Sequence, residues 1–226
     1  DIKCRQTGLW PDAVVVVATI RALKSHGGKK KDELSAPDEE AVIRGMENLY
    51  KHIENLKDFY GLPTVVAINK FHTDTPEEIA LVQKLCRARG VKAIPVEVWE
   101  KGSEGGVDLA REVMRIARKT EPRYPYALED PIPCKIEKLA KTIYGACDVH
   151  YSAGVTKAIE ALSKNGYAYL PICVAKTQYS LSHDPSLIGR PKDFIFTVRN
   201  VKLSAGAGFI VVLAGDMMTM PGLPKK

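Results

Sequence analysis

Along this chain of 226 residues, apolar positions fall into short blocks separated by polar, glycine- and proline-bearing stretches. Ala13 to Thr19 (AVVVVAT), Thr64 to Asn69 (TVVAIN) and Val91 to Val98 (VKAIPVEV) are β-branched and nearly continuous in apolarity. Continuous rather than alternating runs predict strands buried on both faces, as in a parallel sheet. Between them the period lengthens. Val42, Met46, Leu49, Ile53 and Leu56 form one helical stripe on a segment reaching about Tyr60. Ser35 offers that helix a cap, Asp38 to Glu40 suit its positive end, and Gly61 stops it. Thr75-Pro76-Glu77-Glu78 supplies a cap, a proline at the first helical position and a glutamate at the third. The helix it opens turns Ile79, Val82, Leu85 and Cys86 inward and ends at Gly90. A further helix is expected from about Val107 to Arg118, after a loop from Trp99 to Gly106.

Three strand–loop–helix units in succession define the α/β class, a parallel sheet with helical crossovers of the doubly wound type. Thr120 to Pro133 (TEPRYPYALEDPIP) is rich in proline and tyrosine and reads as a linker. It separates an α/β region over residues 1–119 from a smaller α+β unit over 134–226. In the latter, helices are expected at about Cys134 to Tyr144 and Ser152 to Asn165, with a short strand at Leu170 to Val174. Phe194 to Val201 (FIFTVRNV) alternates and Gly208 to Ala214 is apolar, which predicts a small antiparallel element. Neither internal repeats nor low-complexity segments are present.

Composition narrows the class. With 45% hydrophobic and 27% charged residues the chain is an ordinary globular sequence, and its longest apolar run is far short of a membrane span. The net charge of +6 arises from 33 basic against 27 acidic residues. No basic face interleaved with aromatics points to nucleic acid, and most lysines read as solvated surface. The charge suits an anionic small molecule. Cys4, Cys86, Cys134, Cys147 and Cys173 are odd in number, scattered and never in a Cys-x-x-Cys pair, so free thiols in a reducing compartment, cytoplasm or an organelle matrix, are expected rather than disulfides or zinc. The opening at Asp1 and the ending at Pro224-Lys225-Lys226 read as cut from a longer chain.

Candidate chemistry sits at strand ends. In open α/β sheets ligands bind at the carboxyl ends of the strands, and Phe71 and Trp99 follow two neighbouring predicted strands there. Such aromatics either plug the end of the sheet or sandwich a flat heterocycle. A phosphate-binding P-loop is absent: the only Gly-Lys pair, Gly28-Lys29, lacks the flanking pattern. Ser204-Ala205-Gly206-Ala207-Gly208 is glycine-rich without a complete dinucleotide fingerprint, and suits a tight turn or a close backbone approach to a ligand. Asn69-Lys70 has no aspartate at the spacing a guanine-reading motif needs. Ser182-His183-Asp184 reads as a turn before Pro185, because adjacent residues do not by themselves make a triad. The methionines of Asp216 to Pro224 read as core filling.

Taken together, several stretches resemble formate–tetrahydrofolate ligase. They are Lys3-Cys4-Arg5 with Gly8-Leu9 and Pro11, Arg21-Ala22-Leu23-Lys24, His26-Gly27-Gly28, and Val65 to Asn69 running on to Phe71 and Thr73-Asp74-Thr75. Glu104-Gly105-Gly106, Leu170 to Cys173, Ala175 to Gln178, Gly189-Arg190-Pro191, and Gly206 to Phe209 with Met218 to Pro224 continue the likeness in order to the end of the chain. The resemblance implies an enzyme making 10-formyltetrahydrofolate from formate, ATP and tetrahydrofolate through formyl phosphate, with magnesium on the phosphates. It implies that Phe71 and Trp99 stack on the pterin, and that Ser204, Gly206 and Gly208 border the nucleotide. In the family a proline often stands where this chain has His72. The resemblance places the P-loop upstream of this segment, so that ATP and Mg2+ are held mainly there and the segment alone is expected to be inactive. It implies small-molecule substrates, no nucleic-acid or membrane partner, and a homo-oligomer as the complete enzyme. The alternative reading is a stand-alone folate-binding or interaction module, or one subunit of a split ligase.

Overall fold

The computed structural model describes residues 1–215, so the methionine-bearing run from Asp216 lies outside the described residues. The chain forms two compact units: Thr7–Arg123 together with Ile188–Arg190, and Asp1–Gln6 with Tyr124–Leu187 and the described residues from Pro191 on. The elements in chain order are α1 (Ile2–Thr7), β1 (Val14–Ala18), α2 (Ile20–His26), α3 (Glu39–Ile53), β2 (Thr64–Asn69), α4 (Pro76–Ala88), β3 (Ala93–Val96), α5 (Val98–Lys101), α6 (Val107–Ile116), α7 (Ile132–Leu139), β4 (Asp148–Tyr151), α8 (Val155–Lys164), β5 (Ile172–Ala175), β6 (Ile195–Val198), β7 (Asn200–Ser204) and β8 (Phe209–Leu213).

In the first unit β1, β2 and β3 form a parallel sheet in that order. Side chains alternate across it. On one face Val66, Ile68 and Ala18 meet Leu23, Val42, Met46 and Val82 from α2, α3 and α4. On the other, Val65, Ala67, Ile94 and Val96 meet Leu109, Val113 and Ile116 of α6. This is the α/β architecture with helices on both faces. One expectation fails at β1. Val15 and Val17 pair with Val65 and Ala67, which puts them on the face that α6 covers, yet Val17 is 67% exposed. Among the described residues β1 is the outer strand, and α6 packs on β2 and β3. A continuous apolar run therefore does not mean both faces are covered here.

The helix α2 has no counterpart among the expected elements. Thr19 caps it by accepting the Ala22 N–H at 3.0 Å. It lies backbone to backbone against α3: a Cβ on Gly45 would stand 1.8 Å from the Leu23 carbonyl oxygen, and one on Gly27 1.9 Å from that of Ala41. The cap of α3 is Asp38, which accepts the Ala41 N–H at 2.8 Å, rather than Ser35. After Ile53 the helix widens into a π-turn over Glu54–Phe59, which shifts the phase so that Asn55 is buried and Leu56 only partly so. The Thr75 capping box is present as the sequence indicates.

In the second unit β4 pairs in parallel with β6, while β5, β8 and β7 form a second sheet, parallel between β5 and β8 and antiparallel between β8 and β7. The alternating run from Phe194 to Val201 is thus divided: β6 joins one sheet and β7 the other. The strand β4 was not expected. Ile132, Ile136, Phe196, Val198, Ile210 and Val212 build the core. The fully buried Lys135 sends its ammonium to the carbonyls of Ala168 and Leu170, at 2.7 and 3.1 Å. No helix among the described residues is long and apolar enough to cross a membrane.

Candidate functional site

Asn69 on β2 pairs with Val96 on β3, and the Lys70 N–H continues the ladder to the Val96 carbonyl at 3.1 Å. Both strands therefore leave the sheet at the same edge. Beyond β2 the chain closes a tight turn on itself. The Phe71 N–H donates to Asp74 Oδ2 at 2.9 Å, and the Asp74 N–H donates to the Phe71 carbonyl at 3.0 Å. Thr75 then caps α4, so the turn is braced by a helix start. Beyond β3 the chain enters the single-turn helix α5, not the loop the sequence suggests, and Trp99 rides on it.

The two arms are tied by charge. Glu97 accepts from Lys70 at 2.8 Å and from Lys101 at 2.7 Å. Those hydrogen bonds, Lys101 first and then Lys70, hold its carboxyl down at about 2. Between the arms lies a cleft of about 610 Å³ lined by Phe71, His72, Asp74, Glu97 and Trp99, together with Arg21 from α2. That volume is of small-molecule size. Phe71 is 37% exposed and Trp99 96% exposed. A ring that capped the sheet would be buried; the indole of Trp99 instead stands in solvent at the cleft wall. The Arg21 guanidinium lies 5.7 Å from the centroid of the Phe71 ring, within cation–π range.

Asp74 is 8% exposed. Burial raises its pKa; the Phe71 N–H works the other way, Glu78 adds to the rise, and Lys24 and Arg21 oppose it. Arg21, Asp74 and Glu97 are cleft residues that sequence reasoning did not single out as site residues. Asp74 carried a signal, standing three residues after Phe71 and just before a Thr-Pro cap, where an Asx-type turn is common. Arg21 carried none, because the helix presenting it was not foreseen.

The cleft assembles no donor set for a divalent cation. Both oxygens of Glu97 hold ammonium groups and one of Asp74 holds a peptide N–H. Among the described residues no group of three or more His, Cys, Asp or Glu is placed to hold a metal ion.

The other sequence candidates lie in the second unit. Ser204 ends β7, Ala205–Ala207 make one turn of 3₁₀ helix, and Gly208 at φ +68° delivers the chain into β8, so the glycine-rich stretch is a hairpin turn. Gly208 takes the left-handed conformation that favours glycine. Its carbonyl accepts from the Gln6 amide at 3.4 Å. A Cβ on Gly206 would meet nothing within 4 Å. Ser182 is committed to local structure, donating to the Asp184 carbonyl and accepting the Asp184 N–H, both at 3.0 Å. His183 Nδ1 accepts the Thr197 N–H at 3.4 Å.

A parallel α/β sheet with an aromatic-walled cleft at the carboxyl ends of adjacent strands is the arrangement in which open α/β proteins hold their ligands. The family is then given by comparison: the formate–tetrahydrofolate ligase model matches residues 1–226, and the chain belongs to that family. The family is one of ligases in one-carbon metabolism that use ATP and join formate to tetrahydrofolate.

Proposed function

We propose that the cleft between Phe71 and Trp99 holds the pterin of tetrahydrofolate, and that this segment supplies the folate side of the ligase. The observation that carries the reading is the position of both aromatics on one cleft at the carboxyl ends of neighbouring parallel strands, with the Trp99 ring 96% exposed. Two aromatic rings lining one cleft can sandwich a flat heterocycle by offset stacking. Arg21 adds a positive charge at the cleft, suited to an anionic substrate or to the carboxylates of the folate.

The chemistry explains why the enzyme needs ATP. Formate is an anion and a poor electrophile; phosphorylated to formyl phosphate, it presents a carbonyl that the folate N10 amine attacks, with phosphate leaving. Magnesium accompanies the ATP phosphates, and water is kept from the labile acyl phosphate. The sequence of this chain contains no P-loop, so the reading assigns ATP and Mg2+ mainly to an upstream segment and expects no product from these residues alone. Ser204, Gly206 and Gly208 are assigned to the nucleotide side. Residues 1–119 carry the folate loops, with 120–133 joining them to 134–226. The complete enzyme is assigned to the cytoplasm as a homo-oligomer.

The test is Trp99→Ala. Loss of one stacking face weakens tetrahydrofolate binding by about five- to 150-fold, by analogy with base–aromatic stacking of about 1–3 kcal/mol, with the melting temperature held. A lowered melting temperature with folate affinity unchanged contradicts the sandwich.

A further inference from the structure

The turn that follows β2 carries an imbalance that the stacking alone does not explain. Two adjacent residues each hold a buried polar atom with no hydrogen-bond partner: Thr73 Oγ1 and Asp74 Oδ1. Buried polar atoms are nearly always paired, so each that is not calls for an explanation, a functional role among them. Here both lie on the turn that bears Phe71, and Asp74 itself lines the cleft. The other carboxylates differ. Glu97 has both oxygens occupied by ammonium groups, and Glu78, fully buried behind the turn, accepts from Lys24, Asp38 and Thr75. Asp74 alone among these three has an oxygen without a donor.

We infer that Asp74 is the residue that reads the edge of the pterin, accepting a hydrogen bond from the adjacent ring N–H and 2-amino donors of a tetrahydrofolate seated between Phe71 and Trp99. This rests on the folate reading of the cleft. An ionised carboxylate is an acceptor only, and the 2-amino-4-oxo edge of a pterin presents neighbouring donors, so the two are complementary. Asp74 Oδ2 keeps the Phe71 N–H at 2.9 Å, which tethers the carboxyl to the turn that carries the stacking ring. Oδ1 is covered from water in this conformation, so the carboxyl must turn about its Cβ–Cγ bond, on the tether of the Phe71 N–H, for the ligand's donors to reach it. Stacking tolerates any flat ring; the carboxylate selects one with donors on that edge. Asp74 thus determines specificity.

The experiment compares tetrahydrofolate with its 2-desamino-2-methyl analogue, which stacks equally but lacks the exocyclic donor, by calorimetric titration of the chain and of two variants. Asp74→Asn keeps an oxygen for the Phe71 N–H and turns a donor toward the ligand. It weakens tetrahydrofolate by about 10- to 150-fold, the range for a hydrogen bond to a charged group, and weakens the analogue, which keeps only the ring N–H donor, by a smaller factor. The wild-type chain alone prefers tetrahydrofolate over the analogue by a similar factor, which keeps the test valid even where the variant is poorly folded. Equal affinity of the wild type for both ligands, or an equal loss for both in a folded Asp74→Asn, overturns the role of Asp74 while leaving the sandwich standing. Failure of the wild type to bind either ligand, or a Trp99→Ala variant that binds as well as wild type, overturns the folate reading and this inference with it.

Discussion

Lys24 Nζ lies 2.9 Å from the Glu78 carboxylate, and both side chains are fully buried. The pair joins α2 to α4 behind the candidate cleft. Lys24 also donates to the Ala36 carbonyl at 2.9 Å, and Glu78 accepts the Asp38 N–H at 2.9 Å. Burial works to raise the Glu78 pKa, but the hydrogen bonds from Asp38, Lys24 and Thr75 hold it below its ordinary value. Removing one member leaves an uncompensated charge in the interior. Lys24→Met is therefore expected to cost about 3–5 kcal/mol. Adding Glu78→Gln recovers part of it, because the amide oxygen still accepts peptide N–H groups without a charge. Urea unfolding of the single and double variants checks both statements; a double variant less stable than Lys24→Met contradicts them.

The contact between α2 and α3 depends on Gly45. In an exposed helix interior alanine would be the better residue by roughly 1 kcal/mol. At Gly45 the added Cβ would stand 1.8 Å from the Leu23 carbonyl oxygen, a backbone atom that cannot swing away. The clash wins, and Gly45→Ala is expected to destabilise by about 1–3 kcal/mol or more as the helices are forced apart. The unfolding midpoint measures it. A variant as stable as wild type would show that the two helices do not approach this closely.

Glu112 on α6 predicts a pH dependence. Arg115 grips it with two hydrogen bonds, at 3.0 and 2.6 Å, and Lys92 adds a third at 3.0 Å. The Arg115 hydrogen bonds outweigh burial, and with Lys92 they pull its pKa from 4.5 to about 2. A carboxyl depressed by folding contributes stability that is fully present above the unfolded value, 4.5, and is lost as pH falls through the folded value, about 2. The stability gap between wild type and Glu112→Gln is therefore expected to be constant above pH 4.5 and to close as pH falls toward 2. Thermal melts across that range test it, and a gap that widens on acidification contradicts it.

The sequence disclosed the sheet more fully than the site. The apolar run of β2 was bounded by Pro63 and the polar Lys70, and the strand ends where the run ends. The capping box of α4 was legible because side-chain and backbone demands coincide at Thr75 and Glu78. The seven-residue α2 was hidden by its shortness and by the glycines that follow it, so the burial of Lys24 and the placing of Arg21 could not be read. The division of Phe194 to Val201 between two sheets was equally hidden, because alternation is preserved when a chain crosses from one sheet to another. At the cleft, Phe71 and Trp99 were visible as large rings after strands. The acceptor role open to Asp74 was not, since it depends on which of its oxygens the Phe71 peptide occupies.

The position of the pterin is the central claim, and the indole N–H resonances of the chain report it. There are two tryptophans. Trp10 Nε1 donates to Thr120 Oγ1 at 3.0 Å, whereas Trp99 stands 96% exposed on the cleft. Titrating tetrahydrofolate into the labelled chain, with Trp99→Phe to assign the signals, is expected to shift the Trp99 indole resonance saturably through the ring current of the stacked pterin and to leave that of Trp10 in place. Formate added alone moves neither. A Trp99 resonance that stays fixed while tetrahydrofolate binds would contradict the assignment of this cleft to the folate.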